Sequence, residues 1–229
     1  MEKRLKVIAR MRSDFPQKFG IPRQSGLVEE LRGEIVFAPE FRSPDALRGM
    51  EGFSHLWLIW GFSANEREEW SPTVRPPRLG GNERLGVFAT RSPFRPNGLG
   101  LSCVKLEGVE LQGPDGPRLH VSGADLMDGT PIYDIKPYVP YTDCRPEAAE
   151  GFAPKPGEAL EVNFPAELLE KVPQEQREAL RGVLSCDPRP RYQDDPRREY
   201  GMAFGELNVN FTVAGDILTV TGVERERET

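Results

Sequence analysis

Glycine and proline are unusually frequent in this chain, with 23 glycines and 22 prolines among 229 residues. This share is well above the usual combined value of about 12%, and the two residue types are dispersed along the chain. Short segments between them alternate β-branched or aromatic residues with polar ones, at 5–8, 34–37, 56–62, 85–90, 101–111, 119–121 and 132–135. Because alternation with a period of two is typical of half-buried strands, we expect short strands joined by tight turns in a sandwich or small barrel.

The last third of the chain has a different pattern. After residue 141 the strand pattern gives way to a segment typical of an inter-domain linker, RPEAAEGFAPKPGEA. Apolar residues at helical spacing then predict two helical pieces within 165–184, and alternation on both sides of 214–216 predicts a β-hairpin. We therefore expect a β domain over residues 1–150 and a small α+β domain over residues 151–229.

Composition indicates a soluble protein of the cytoplasm. Hydrophobic residues make up 38% and charged residues 29% of the chain, no apolar run approaches the roughly 18 residues needed to span a bilayer, and no secretory signal is recognisable. Three widely separated cysteines indicate no disulfide framework. Two histidines and the lack of a Cys-x-x-Cys pair predict that the protein has no metal site.

Charge is unevenly distributed along the chain. The net charge of −6 argues against a protein that coats nucleic acid non-specifically, because such binding depends on neutralising phosphates with lysine and arginine. Residues 71–100 nevertheless contain a single acid, Glu83, and five arginines: Arg75, Arg78, Arg84, Arg91 and Arg95. One face of this acidic protein is therefore expected to be basic.

A run of turn residues at 91–102, RSPFRPNGLGLS, is a candidate binding loop. Proline and glycine on either side of the arginines predict a loop with a fixed shape. Arg91 and Arg95 can fork onto a carboxylate or phosphate, while the backbone at Asn97 and Gly98 can donate to the same ligand. An anion or zwitterion site and an exposed basic loop are equally compatible with this run.

A second such run spans residues 125–141, DLMDGTPIYDIKPYVPY. Asp134, Lys136 and Tyr138 alternate on one side of a short extended segment, so they face either a ligand or solvent. Other chemistries lack their signatures, since the chain contains no Gly-x-Gly-x-x-Gly after a predicted strand, no P-loop and no Gly-x-Ser-x-Gly elbow.

Five strings in the chain occur together in one family: KFGIPRQSGLV at 18–28, LRGMEGFSHLWLIW at 47–60, PTVRPPRLGGNERLGVFATRSPFRPNGLGLS at 72–102, DLMDGTPIYDIKPYVPY at 125–141 and DPRPRY at 187–192. By these strings the chain resembles the TsaA-like, or TrmO, family of S-adenosylmethionine-dependent transfer RNA methyltransferases. The resemblance covers nearly the whole chain.

The resemblance implies a mainly β fold, in which a six-stranded antiparallel β-barrel is followed by a small α+β C-terminal domain. The barrel binds S-adenosylmethionine, and the partner is transfer RNA, with no membrane involved. The implied reaction adds a methyl group to N6 of the adenosine 3′ of the anticodon, which already carries an N6-threonylcarbamoyl group. The implied assembly is a homodimer with the cofactor close to the subunit interface.

The cofactor residues are carried over by matching positions, and the RNA-binding residues and bases are hypotheses from charge and position. The residues expected to line the cofactor pocket are Pro22, Arg23, Gln24, Ser63, Ala64, Arg91, Leu101, Leu126, Met127, Asp128, Gly129 and Thr130. The residues expected to bind the RNA are Arg75, Arg78, Arg95, Asn97, Lys136, Arg189 and Arg191. Asp134 and Tyr138 are hypothetical catalytic bases because they share a face with Lys136.

The chemistry of the cofactor leaves several assignments open. Its carboxylate requires a cation, which Arg23 or Arg91 supplies, and its ammonium or ribose requires an acceptor, which Asp125 or Asp128 supplies. An alternative function is a non-catalytic module that binds the cofactor or an RNA loop. A third possible function is that of a hydrolase, but the sequence lacks both the metal ligands and the set of nucleophilic residues that such an enzyme requires. Methyl transfer onto RNA would distinguish the methyltransferase from the non-catalytic module.

Overall fold

The computed structural model describes residues 4–64, 69–79, 83–153, 159–189 and 195–225. The strands are β1 (Ala9–Ser13), β2 (Arg32–Phe37), β3 (His55–Gly61), β4 (Thr73–Val74), β5 (Leu85–Gly86), β6 (Leu99–Glu110), β7 (Arg118–Ser122), β8 (Pro131–Pro137), β9 (Glu161–Asn163), β10 (Tyr200–Phe204), β11 (Leu207–Ala214) and β12 (Ile217–Arg225). The α-helices are α1 (Pro140–Asp143), α2 (Ala166–Leu169) and α3 (Arg177–Ser185). Short 3₁₀ helices span Pro39–Phe41, Pro44–Leu47, Met50–Gly52, Pro77–Leu79, Val87–Ala89 and Gln174–Gln176.

Six strands close into a barrel in the order β1-β2-β7-β6-β3-β8. Every neighbouring pair in this barrel is antiparallel, including β1 with β8, which closes the cylinder. The expected six-stranded antiparallel barrel is therefore confirmed. The chain leaves the barrel between β3 and β6, and this excursion contains the two-stranded pair β4–β5.

Side chains fill the interior of the barrel. In β3 the residues Leu56, Leu58 and Trp60 are buried, while the intervening His55, Trp57 and Ile59 are only partly buried. Leu56, Leu58 and Trp60 belong to one hydrophobic cluster, to which all six barrel strands contribute buried residues. Because small barrels have room only for their own side chains, a ligand has to bind at an end of this barrel.

The C-terminal elements form a second hydrophobic cluster. The sheet has the order β10-β11-β12-β9, in which only the last pair is parallel. One side of α3 is buried through Ala179, Leu180, Val183 and Leu184. The predicted helical pieces and the hairpin around residue 215 are both present, so the small α+β unit is confirmed.

The segment 14–31, which follows β1, packs against this C-terminal unit. Phe15, Val28 and Leu31 are buried in the C-terminal cluster. The backbone amide of Gly205 donates to the carbonyl of Asp14 at 2.7 Å, and Gln176 Nε2 donates to Asp14 Oδ1 at 2.8 Å. The segment therefore lies between the barrel and the C-terminal unit.

Two predicted strands differ from the structure. The segment 5–8 lies just before β1, whose pairing with β2 and β8 begins at Ala9. The strand predicted over 85–90 ends at Gly86. The chain then turns through the 3₁₀ helix Val87–Ala89, because the backbone amide and the hydroxyl of Thr90 both donate to the carbonyl of Val87, at 3.1 Å and 2.9 Å.

Candidate functional site

A cavity of about 670 Å³, the first cavity, opens at one end of the barrel. Its walls are the end of β3, the start of β6 and three loops at 21–24, 90–95 and 125–130. This volume is within the range of small-molecule sites, roughly 300–1,000 Å³. Loops distant in sequence meet here because β3 and β6 are neighbours in the barrel.

A chain of hydrogen bonds crosses the floor of the first cavity. Trp60 Nε1 donates to Ser102 Oγ at 2.9 Å, and the Ser102 hydroxyl donates to Asp125 Oδ1 at 2.6 Å. Burial raises the pKa of Asp125, although the hydrogen bond from Ser102 and the charge of Arg91 oppose that effect. A carboxylate that has lost water in this way is a favourable partner for a cationic ligand group.

Gly100 makes room for the Trp60 ring on this floor. A Cβ atom at Gly100 would lie 2.3 Å from Trp60 Cε2 and 2.4 Å from Cζ2, distances at which one of the groups has to move. The glycine therefore allows the indole to reach Ser102.

Arginines and Gln24 form the polar rim of the cavity. Arg91 donates to the side-chain oxygen of Gln24, and Gln24 donates to the carbonyl of Arg23. This chain ties the loop 21–24 to the loop 90–95. Arg95 Nη1 donates to the carbonyls of Thr90 at 3.0 Å and Ser92 at 3.2 Å, so its guanidinium holds the shape of its own loop.

The turn after Asp125 contributes only part of its length to the cavity. Met127 and Thr130 line the cavity, and the Thr130 hydroxyl donates to the Met127 carbonyl at 2.7 Å. Asp128 is exposed and accepts a hydrogen bond from the Ser13 amide at 3.1 Å. Leu126 is buried in the barrel core, and the Gly129 carbonyl accepts from Arg10 at 2.8 Å. These last three residues do not line the cavity.

The other residues predicted for the cofactor lie around the same cavity. Its lining includes Pro22, Ser63, Ala64 and Leu101 together with the Arg23, Gln24 and Arg91 already described. The structure therefore brings together residues from four of the five strings picked out in the sequence. Trp60, Phe62, Phe94 and Ser102 were missed as site residues, although the alternation in β3 already indicated that Trp60 points inward.

The two hypothetical bases lie outside the first cavity, in and just after β8. Lys136 Nζ lies 3.2 Å from Asp134 Oδ2. Tyr138 packs against the rings of Trp57 and His55, with centroids 5.7 Å and 6.1 Å apart. Burial raises the pKa of Tyr138, which makes its phenolate harder to form at neutral pH.

A larger groove of about 1,410 Å³, the second cavity, adjoins the first. The two share Arg23, Gln24 and the wall from Thr90 to Phe94, and the second also contains Arg75 and Arg84. Among the other residues predicted to bind RNA, Arg95 lines the first cavity and Asn97 and Lys136 line neither. Arg189 is buried and forms a two-pronged ion pair with Asp187. The side chain of Arg78 and the whole of Arg191 lie outside the described residues.

The described residues contain no group of three or more histidine, cysteine or acidic side chains able to hold a metal ion. In the same part of the chain, no helix has the length and apolar character required to cross a membrane.

Comparisons with known proteins cover both structural units. The family model for the tRNA-methyltransferase O N-terminal domain matches residues 10–144, and that for the TrmO C-terminal domain matches residues 157–226. The tRNA (adenine(37)-N6)-methyltransferase of Escherichia coli (strain K12) is 42% identical over 212 residues, which cover 89% of this chain and 90% of the relative.

Two matches from Pseudomonas aeruginosa agree with this result. A protein named putative S-adenosylmethionine-dependent methyltransferase RcsF is 45% identical over 89% of this chain and 90% of its own length. A crystal structure of TrmO from the same species has a TM-score of 0.79 at 36% identity, covering 98% of this chain and all of the other. Since the matches extend over the barrel, the first cavity and the C-terminal unit, the chain belongs to the TrmO family.

Proposed function

We propose that this chain is a transfer RNA methyltransferase that uses S-adenosylmethionine. Its acceptor is N6 of the adenosine immediately 3′ of the anticodon, already modified with a threonylcarbamoyl group. The observation that carries the proposal is the first cavity, where the carboxylate of Asp125 and the guanidinium groups of Arg23 and Arg91 line one small space. Membership of the TrmO family and the names of the relatives support methyl transfer from S-adenosylmethionine to N6 of a transfer RNA adenine. The threonylcarbamoyl group on the acceptor is the finer part of our proposal.

The lining of the first cavity fits the groups of S-adenosylmethionine. Arg91, already oriented by Gln24, and the neighbouring Arg23 are suited to the carboxylate of the methionine moiety. Asp125 is suited to its ammonium. The rings of Trp60 and Phe62, with centroids 4.5 Å apart, offer apolar surface to the remainder.

Bound S-adenosylmethionine supplies a methyl group on a sulfonium, which makes the methyl carbon electrophilic. The protein's main contribution is to hold the acceptor nitrogen close to that carbon, because fixed geometry lowers the barrier of a two-reactant step. An exocyclic adenine nitrogen is a weak nucleophile, since its lone pair is delocalised into the ring. The threonylcarbamoyl group makes the N6–H more acidic, so this modification assists the reaction as well as marking the substrate.

The acceptor nitrogen also has to lose a proton. Asp134 and Tyr138 remain our proposed bases, although both lie outside the first cavity of their own subunit. Asp134→Asn should lower the rate of methyl transfer without changing the affinity for either substrate. An unchanged rate would remove Asp134 from the mechanism.

The second cavity is the proposed path of the RNA. Arg75 and Arg84 line it, and Arg23 and Arg91 connect it with the first cavity. These arginines provide the positive charge that a phosphate backbone requires, and Arg78, whose side chain lies outside the described residues, is expected from the sequence to add to it. Arg75→Ala combined with Arg78→Ala should therefore reduce the salt dependence of RNA affinity. Retention of the wild-type salt dependence would exclude this surface.

We infer that two copies associate through the outer face of β8, β3 and β6. This outer patch consists of Trp57 and Ile59 of β3, their neighbours Leu101 of β6 and Asp134 and Lys136 of β8, and Tyr138 and Tyr141, which follow β8 in the chain. Leu101 and Tyr141 are 54% and 89% exposed, which is high for residues of this size in an isolated subunit. Because Leu101 also lines the first cavity, a partner on the patch would lie beside the cofactor. Sedimentation equilibrium should show a dimer that Tyr141→Arg weakens, and a monomeric wild type would exclude this arrangement.

The experiment that tests the function is transfer of labelled methyl from S-adenosylmethionine to two matched transfer RNAs. One carries the threonylcarbamoyl group and the other lacks it. Label on the modified RNA alone would establish the reaction and its dependence on the modification. Label on neither RNA, with cofactor binding intact, would favour a non-catalytic binding module instead.

A further inference from the structure

Two large aromatic side chains beside the second cavity are exposed to solvent. Trp70 is 49% and Phe88 is 73% exposed. Their rings are nearly parallel, with an interplanar angle of 22° and centroids 6.5 Å apart. Burying such rings is ordinarily favourable, so a stacked pair left in water indicates a surface that takes up a flat ligand.

Hydrogen bonds hold this pair in a fixed place. The Val87 amide donates to the Pro72 carbonyl at 3.0 Å, and the Ser71 amide donates to the Phe94 carbonyl at 3.0 Å. The pairing of strands β4 and β5 continues directly from the contact between Val87 and Pro72. Val87 is buried at 1% exposure and anchors the 3₁₀ helix from which Phe88 projects. The conformation of this turn therefore keeps the Phe88 side chain exposed.

The surroundings of Phe88 are positively charged in a protein of net charge −6. Arg75, Arg84, Arg23 and Arg91 line the same cavity, against two acids, Glu69 and Glu150. Arg84 is oriented by a hydrogen bond from its Nε to Thr73 Oγ1 at 2.9 Å. Aromatic surface beside several arginines is the combination that binds single-stranded nucleic acid, since bases stack on the rings and phosphates pair with the cations.

The aromatic pair also lies next to the first cavity. Phe88 is three residues from Arg91, which belongs to both cavities, and three residues span at most about 11 Å. A base on Phe88 is thus close enough to belong to a neighbour of the nucleotide whose base enters the first cavity.

We propose that Phe88, backed by Trp70, forms a stacking platform for the base of a nucleotide adjacent to the target adenosine. Arg75 and Arg84 bind the flanking phosphates. This inference rests on the proposed function and adds a base-binding subsite to it. Stacking on the platform holds the anticodon loop in an unstacked conformation, so that the target base can enter the first cavity.

The test compares Phe88→Ala and Phe88→Tyr with Phe53→Ala. Phe53 is 40% exposed and precedes β3, at the end of the barrel opposite the first cavity. The ligand is a threonylcarbamoylated anticodon stem-loop in which 2-aminopurine replaces either the nucleotide 5′ or the nucleotide 3′ of the target. Binding is measured by anisotropy, stacking by quenching of 2-aminopurine, and cofactor affinity by calorimetry.

Phe88→Ala should weaken RNA binding by about 5-fold to 100-fold and abolish the quenching of one of the two probes, with unchanged cofactor affinity and melting temperature. Phe88→Tyr should retain both properties, since tyrosine also stacks. The platform is excluded if Phe88→Ala binds RNA as tightly as Phe53→Ala, or if quenching persists in Phe88→Ala. A wild-type protein that binds the cofactor but no stem-loop would exclude the proposed function together with the platform.

Discussion

Truncation of Val28 is expected to weaken cofactor binding, although Val28 does not line the first cavity. Its side chain packs directly on α3, where a Cβ atom at Gly182 would lie 2.6 Å from Val28 Cγ1. The segment 14–31 contains both this contact and the cavity residues Pro22, Arg23 and Gln24. The C-terminal unit therefore supports the loop that lines the first cavity.

The magnitude follows from the groups removed. Val28 is 3% exposed, and Val28→Ala deletes two buried methyl groups at about 0.8 kcal/mol each, with a further contribution from the cavity left behind. A total of about 2–3 kcal/mol is expected. If much of this loss falls on the docking of the segment 14–31, the affinity for S-adenosylmethionine should decrease roughly 3-fold to 30-fold.

The matched control is Val213→Ala. Val213 is 1% exposed in β11, within the same hydrophobic cluster, so the same two methyl groups are removed from a different part of the C-terminal unit. Calorimetry gives the cofactor affinity, and hydrogen exchange reports on the amides of 20–28. Only Val28→Ala should weaken binding and accelerate exchange in that segment.

Two results would refute this reasoning. Equal cofactor affinity for Val28→Ala and the wild type would show that packing on α3 does not control the loop. Equal weakening in both variants would attribute the effect to global stability.

Three further predictions concern single positions. Bound ammonium favours ionised Asp125, so wild-type affinity for S-adenosylmethionine should decrease below neutral pH, as pH falls through the pKa of Asp125, which burial raises. Asp125→Asn should flatten this profile and raise the melting temperature of the free protein, whereas an identical profile in the variant would exclude Asp125 as the ammonium site. Gly100→Ala should displace Trp60, destabilise the fold by about 1–3 kcal/mol and weaken cofactor binding. The control is Gly86→Ala, because nothing lies within 4 Å of the Cβ atom that it adds. Equal melting temperatures for the two variants would contradict the packing argument. Hydrogen bonds from Ser122, Lys105 and Arg32 lower the pKa of Glu107 to about 2, so its stabilising contribution is present above about pH 4.3 and is lost as pH falls towards 2. The free energy of unfolding of Glu107→Gln, measured with denaturant, should therefore be lower than that of the wild type at neutral pH but equal to it at pH near 2. A difference that does not depend on pH would contradict the stabilising role of ionised Glu107.

Local sequence predicted much of the barrel, because strand alternation and turn residues act over a few positions. The inward orientation of Leu56, Leu58 and Trp60 follows directly from alternation in β3. The prediction of a strand over 85–90 was wrong beyond Gly86, because hydrogen bonds from Thr90 to the Val87 carbonyl close a 3₁₀ turn that alternation does not reveal. That turn exposes Phe88.

The residues predicted to line the cofactor pocket show the same division. The strings around Gln24, Arg91 and Leu101 were recognisable in the sequence, and the structure places all three residues around the first cavity. Asp128 and Gly129 belong to an equally recognisable string, but the Asp128 carboxylate and the Gly129 carbonyl accept hydrogen bonds from Ser13 and Arg10 of β1. A motif identifies the residues of a loop without showing which of their groups face the ligand.

The sequence by itself determined the family, the barrel strands and the loops that carry the candidate site, since these depend on local pattern and on recognisable strings. Only the tertiary structure placed Trp60, Ser102 and Asp125 in one hydrogen-bonded chain and docked the segment 14–31 on the C-terminal unit. Burial, pKa shifts and contacts between distant segments arise when the chain closes on itself. They therefore depend on neighbours that the order of residues does not reveal.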